Sequence, residues 1–172
     1  MFYTQHPIPH TSYPSRGFTL FELVVYVGLF LILAGGLVLL IDPPEIEGRL
    51  KDSRRMADMG ILSQAITAYK IDNKTLPDVG AISPLLRQSS VLPSGQTNLH
   101  SSVSGWIITD LSKYIQKLPV DPTNDSTYFY RYTHNDNNFE IDCVLQIEMS
   151  KMQNDGGNNA SRYEVGTDLS LL

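Results

Sequence analysis

One cysteine, Cys143, is too few for an intrachain disulfide, so any core this chain forms must be held by packing alone. Basic residues are also short. Thirteen Lys and Arg against 18 Asp and Glu give a formal net charge of -5, and no general electrostatic case for nucleic-acid binding. Catalytic signatures are missing: no HExxH, no GxSxG, no P-loop and no dinucleotide fingerprint. Of the four histidines, His6 and His10 lie near the start, while His100 and His134 stand alone on predicted loops. No enzymatic activity is expected.

What the chain does have is one long apolar run. Residues 18–41 read FTLFELVVYVGLFLILAGGLVLLI, with Glu22 the only charge. As a helix this run is about 36 Å long, enough to cross a hydrocarbon core of about 30 Å. Asp42-Pro43-Pro44 follows, and a proline pair removes two backbone donors, so the helix should break or loosen there. Before the run, residues 1–17 carry three prolines, no apolar periodicity and one formal charge, Arg16, which reads as a leader and not a domain. The run is too long for the apolar core of an ordinary secretory signal, roughly 7–15 residues. Arg16 alone precedes the span, whereas Arg49, Lys51, Arg54 and Arg55 follow it. Counting Lys and Arg therefore places the C-terminal part inside the cell.

A carboxylate inside such a run is costly in lipid and calls for a partner. Gly17-Phe18-Thr19-Leu20-Phe21-Glu22, preceded by Arg16 and followed by the apolar run, resembles the type III signal of type IV prepilins and type II secretion pseudopilins. The resemblance implies cleavage after Gly17 by a membrane prepilin peptidase and methylation of the new amine on Phe18. It also implies that Glu22 neutralises the Phe18 amine of a neighbouring copy during filament assembly. An unpaired carboxylate in low dielectric is expensive, and a cation in contact recovers much of that cost. The alternative is a Glu22 that merely sits in the first helical turn, helped by the helix dipole. Gly28, Gly35 and Gly36 share one helical side, which suits close helix packing but is also ordinary for membrane helices.

The remainder, 42–172, is large enough for one small core. Leu50, Ala57, Ile61, Ala65, Ala68 and Tyr69, widened by Leu62 and Ile66, predict an amphipathic helix over about 45–72, with Lys51, Asp52, Arg54, Arg55 and Asp58 mainly off that face. A long Ser-, Gly- and Pro-rich connection, 73–105, follows, with one short turn around 83–88. Asp110 caps a short predicted helix over 111–117 that Pro119 ends. Strands are predicted at 126–133, 139–147 and 162–165, with Phe139, Ile141, Cys143, Leu145 and Ile147 on one face. Cys143 is then a core residue. The expected fold is α+β and pilin-like: a long N-terminal helix, half membrane and half amphipathic, packed on a small antiparallel sheet.

Residues 105–132, with Leu118-Pro119-Val120-Asp121-Pro122 ahead of an aromatic hairpin, also resemble the major pseudopilin of type II secretion. That likeness implies calcium near the Asp-Pro, with Asp121, Asn124, Asp125 and Ser126 as oxygen donors and Asp136 across the turn. Asx-rich segments are more often plain turns. The run Tyr128-Phe129-Tyr130-Arg131-Tyr132 could stack nucleic-acid bases, but aromatics are also what an antiparallel strand favours. A lone cysteine departs from type IVa pilins, which close a C-terminal loop with two.

The expected function is a structural subunit of a pilus or pseudopilus filament. It would sit as a single-pass protein in a prokaryotic membrane, in contact with lipid, the peptidase and an assembly machine. It would then move to an extracellular or periplasmic filament through self-association. This orientation opposes the Lys and Arg count. The competing expectation is an uncleaved single-span anchor displaying a ligand-binding module.

Overall fold

The computed structural model describes residues 17–40, 43–80, 86–135 and 137–172. Residues 1–16, all but the last of the expected leader 1–17, and Asp136 lie outside them. The chain divides into two compact units, Met1–Asp42 and Pro43–Leu172.

In the first unit, α1 runs Leu20–Leu40. Thr19 starts it: its hydroxyl accepts the Glu22 N–H at 3.2 Å, and its carbonyl accepts the Leu23 N–H at 3.1 Å. Thr-x-x-Glu is the sequence of a capping box, so Glu22 stands at the third helical position. Phe18 lies before the helix with its ring edge-to-face on Tyr26, centroids 6.0 Å apart. The window Leu20–Leu37 has a mean hydropathy of 2.3 and none of it is buried. A helix apolar on every side and covered on none is built for apolar surroundings.

In the second unit, α2 runs Pro43–Asn73. Pro43 and Pro44 occupy its first turn, where a missing N–H costs nothing. The pairs Arg49–Glu45 and Lys51–Glu47, four apart, support its exposed side. Four strands form one sheet in the order β1 (Arg87–Gln88), β2 (Arg131–His134), β3 (Phe139–Cys143), β4 (Tyr163–Gly166), every neighbour antiparallel. A short helix, α3, spans Met149–Gln153. The α+β class expected from the sequence is what forms. Phe139, Ile141 and Cys143 of β3 join Tyr132 of β2 and Met59, Leu62 and Ile66 of α2 in the core, completed by Trp106, Ile107, Leu111, Leu118 and Val120.

The buried side of α2 keeps Leu62, Ala65 and Ile66 of the expected face but is shifted from it in the first half of the helix. Gly48, Asp52, Arg55, Met59, Leu62, Ala65 and Ile66 are buried, while Leu50, Ala57 and Ile61 face solvent, Leu50 at 67% exposure. Asp52 and Arg55 can turn inward because each neutralises the other, 2.9 Å apart.

The helix predicted over 111–117 is a single turn. Ile115 N–H reaches the Leu111 carbonyl, and the chain is then drawn away as Leu118 N–H bonds the His100 carbonyl and Lys117 bridges Ser101. The strand predicted from 126 begins only at Arg131, because the Asp125 carboxylate folds 125–128 into a turn by accepting the Thr127 and Tyr128 N–H groups, each at 2.8 Å. The strand predicted to 147 stops at Cys143, since the Leu145 N–H turns to Met152 Sδ and those of Gln146, Ile147 and Glu148 turn to Asp52. The last strand, predicted at 162–165, runs Tyr163–Gly166. Within the predicted connection 73–105, Arg87–Gln88 pair with β2 as β1. Buried Asp78 ties this corner together, accepting from Arg87 Nε at 2.7 Å and Thr109 N at 2.8 Å. Of the turn read at 83–88, residues 81–85 lie outside the described ones.

Alternation along the strands sends Arg131 and Thr133, Glu140 and Asp142, and Glu164 to the sheet's other face. A half-covered antiparallel sheet would leave these in water. Instead Glu140, Asp142 and Glu164 are all buried, at 0%, 0% and 2% exposure. Arg131 Nε bonds both Asp142 oxygens at 2.9 Å, and Arg162 Nε lies 2.8 Å from Asp142. The cover is local chain: Asn159 N–H bonds Glu164, and the Leu171 and Leu172 N–H groups bond Glu140 at 2.7 and 3.0 Å.

Candidate functional site

Gly17, Phe18, Thr19 and Glu22 line one recess at the start of α1. A Cβ added at Gly17 would meet nothing within 4 Å, so the fold itself does not demand glycine there. The same holds at Gly28, Gly35 and Gly36, which leave open helix surface. Glu22 is exposed and forms no ion pair among the described residues, while its N–H is satisfied by Thr19. Its place is therefore dictated by helix capping, and its carboxylate is available to an outside partner.

The sequence profile of the prokaryotic N-terminal methylation motif matches residues 14–38, covering this recess and most of α1. The chain carries a type IV prepilin-like signal. It is thus a pilin- or pseudopilin-like precursor with one N-terminal apolar helix suited to a single-pass membrane anchor. No curated protein and no solved structure matches the chain. The match spans the signal and anchor, so the C-terminal unit of this prepilin-like chain is read from its own geometry.

The calcium donors expected from the second resemblance are already engaged. Asp121 is 4% exposed and accepts Arg55 Nε at 2.7 Å on one oxygen. Its other oxygen accepts Arg55 Nη2 at 3.0 Å together with the Thr123 and Asn124 N–H groups. Asn124, at φ +50°, exchanges hydrogen bonds with Ser89, accepting from its hydroxyl and donating to its carbonyl. Asp125 caps its own turn, and those backbone donors hold its carboxyl below the ordinary value. Ser126 is exposed, and Asp136 lies outside the described residues. Among the described residues no three His, Cys, Asp or Glu side chains gather to hold a metal ion. Among the described residues the donor set does not fit calcium, because a guanidinium occupies its strongest member.

Nor does the aromatic run present a row of free rings. Tyr130 and Tyr132 are fully buried, their hydroxyls donating to Asp58 and to the Pro77 carbonyl. Tyr128 lies over the Arg55 guanidinium at 4.6 Å, and Phe129 over Arg162 at 5.0 Å. Cys143 is buried in the core, and burial, then the Asp142 charge, pushes its thiol up, which makes a poor nucleophile. His100 Nδ1 lies 3.3 Å from the Leu118 carbonyl, and His134 ends β2 beside Tyr132.

Two clusters were not expected from the sequence. One is Asp52–Arg55–Asp121; the other is Glu140–Glu164, whose Oε1 atoms are both buried without a hydrogen-bond partner. Burial first, then the neighbouring Glu164 carboxylate, pushes Glu140 up to about 7. The only hint in the sequence was two acids inside the apolar strand FEIDC, which alternation assigned to water.

Proposed function

We propose that this chain is a structural subunit of a type IV pilus-like or type II secretion pseudopilus filament. Prepilin peptidase cuts after Gly17 and methylates Phe18. The α1 helix then leaves lipid and packs against α1 of other copies, with Glu22 meeting the Phe18 amine of a neighbour. The match over residues 14–38, laid on a helix with no buried face, carries this reading. An exposed carboxylate at the mouth of an apolar helix is stable in a filament core only beside a cation, and a freed terminal amine supplies one.

The chain contributes packing and needs no cofactor or catalysis of its own. Head residues 43–172 lie outside the cytoplasm, first on the membrane surface and then on the filament. The cations that argue for the opposite orientation have acidic partners once folded: Arg49 with Glu45 and Glu148, Lys51 with Glu47, Arg54 with Asp58, Arg55 with Asp52 and Asp121.

Mass spectrometry of chain extracted from membranes tests the processing step. The expected N-terminus is Phe18 carrying one extra methyl; Met1 retained on all of the protein overturns the proposal. Glu22→Ala is expected to stay in the membrane fraction and to lose filament assembly, seen by electron microscopy of sheared filaments. Normal filaments from that variant would refute the pairing role.

A further inference from the structure

The misfit with calcium points to what replaces it. We propose that Arg55 is the resident cation of the head: its guanidinium pins the loop 121–128 and the turn 146–148 to α2, and the head folds with no divalent ion.

The geometry is that of a coordination centre built from protein. Arg55 is fully buried. It gives two parallel bonds to Asp121, at 2.7 and 3.0 Å, one to Asp52 at 2.9 Å and one to the Thr123 hydroxyl at 3.3 Å. Tyr128 closes the open face of the plane. Each carboxylate then gathers backbone. Asp121 accepts the Thr123 and Asn124 N–H groups, and Asp52 accepts those of Gln146, Ile147 and Glu148 at 2.8, 2.7 and 3.0 Å.

One charge on α2 thus organises two segments far away in sequence. A divalent ion could bridge the same two acids, but the guanidinium already stands where it would go. A planar fork suits this role better than an ammonium, since two of its edges meet two carboxylates at once. Because the cation is covalently attached, loop order does not depend on the calcium concentration outside the cell.

The test uses the full chain in detergent micelles, with thermal unfolding followed by fluorescence of Trp106, the single tryptophan and a fully buried one. The wild-type melting temperature is expected to be the same in millimolar calcium chloride and in excess EGTA. A rise of several degrees in calcium overturns the proposal. Arg55→Lys and Arg55→Gln, both measured in EGTA, are expected to melt in the order wild type, Lys, Gln. A Gln variant as stable as the Lys variant, or more so, would show that the charge is not what holds the loops. If only the Lys variant folds, the order is upheld; if neither folds, the wild-type calcium titration alone decides.

Discussion

Raising the pH from 5 to 8 should weaken the head, which is the reverse of what most carboxylates produce. Glu140 and Glu164 share a buried site on the sheet face away from the core, each with an oxygen that has no hydrogen-bond partner. Around them stand Asp142 on the same strand, Arg131 on β2 and Arg162 just before β4: three acids and two cations. Burial and the second carboxylate push Glu140 from 4.5 up to about 7. The folded head therefore keeps a proton that the unfolded chain releases above about 4.5. Its stabilising contribution is complete below that value and is lost as pH rises through 7. The ceiling is about 3 kcal/mol, at about 1.36 kcal/mol for each pH unit between the two values. For a unit of this size that is roughly 8–14 °C of melting temperature. Asp58, also pushed up by burial, adds the same sign, so a variant is needed to isolate the pair. Glu140→Gln replaces the protonated carboxyl with a neutral amide and keeps an oxygen for Leu171 and Leu172. Trp106-detected melting of the full chain should fall with pH in wild type and much less in that variant. Equal slopes for the two proteins, or a wild type that grows more stable toward pH 8, would refute the shared proton.

Asp52→Ala removes the acceptor of three backbone N–H groups and half of the Arg55 pairing, and should cost about 3–5 kcal/mol in thermal or denaturant unfolding. Leu62→Ala, at a fully buried position, should cost about 2–5 kcal/mol, while Leu50→Ala, on the opposite side of the same helix, should change head stability by less than about 0.5 kcal/mol. Cys143 should resist thiol reagents in the native protein and react at the rate of unfolding; fast labelling of folded protein would contradict its burial.

Much of the apolar architecture was legible. The span, the amphipathic helix, the β2–β3 pair and the core place of Cys143 follow from runs and periods that act locally. The side that α2 buries was legible at Leu62, Ala65 and Ile66 but not in the first half of the helix, because apolar residues lie on both sides of it. Leu50, Ala57 and Ile61 keep the same spacing as a core stripe yet face solvent. Choosing between the stripes requires knowing that Asp52 and Arg55 can be neutralised, and their partners lie far away, at Asp121 and at 146–148. Turn chemistry erred in the same direction. The Asp125 side chain competed with strand pairing and delayed β2 by several residues.

The two halves of the chain differ in legibility for a physical reason. A signal that another protein reads on an extended chain, and that lipid reads on a single helix, must carry all its information in consecutive residues. Gly17 shows this most directly: it belongs to the matched stretch 14–38, yet among the described residues nothing crowds it. Arg55 is the opposite case. Read along the sequence it is one more cation after a membrane span, counted toward the side of the membrane on which the head should lie. In the fold it is fully buried, bonded to two carboxylates and covered by Tyr128. A charge can be assigned to water or to the interior only when its long-range partners are known. The same residue that the orientation count assigns to water is therefore the one whose guanidinium stands between Asp52 and Asp121.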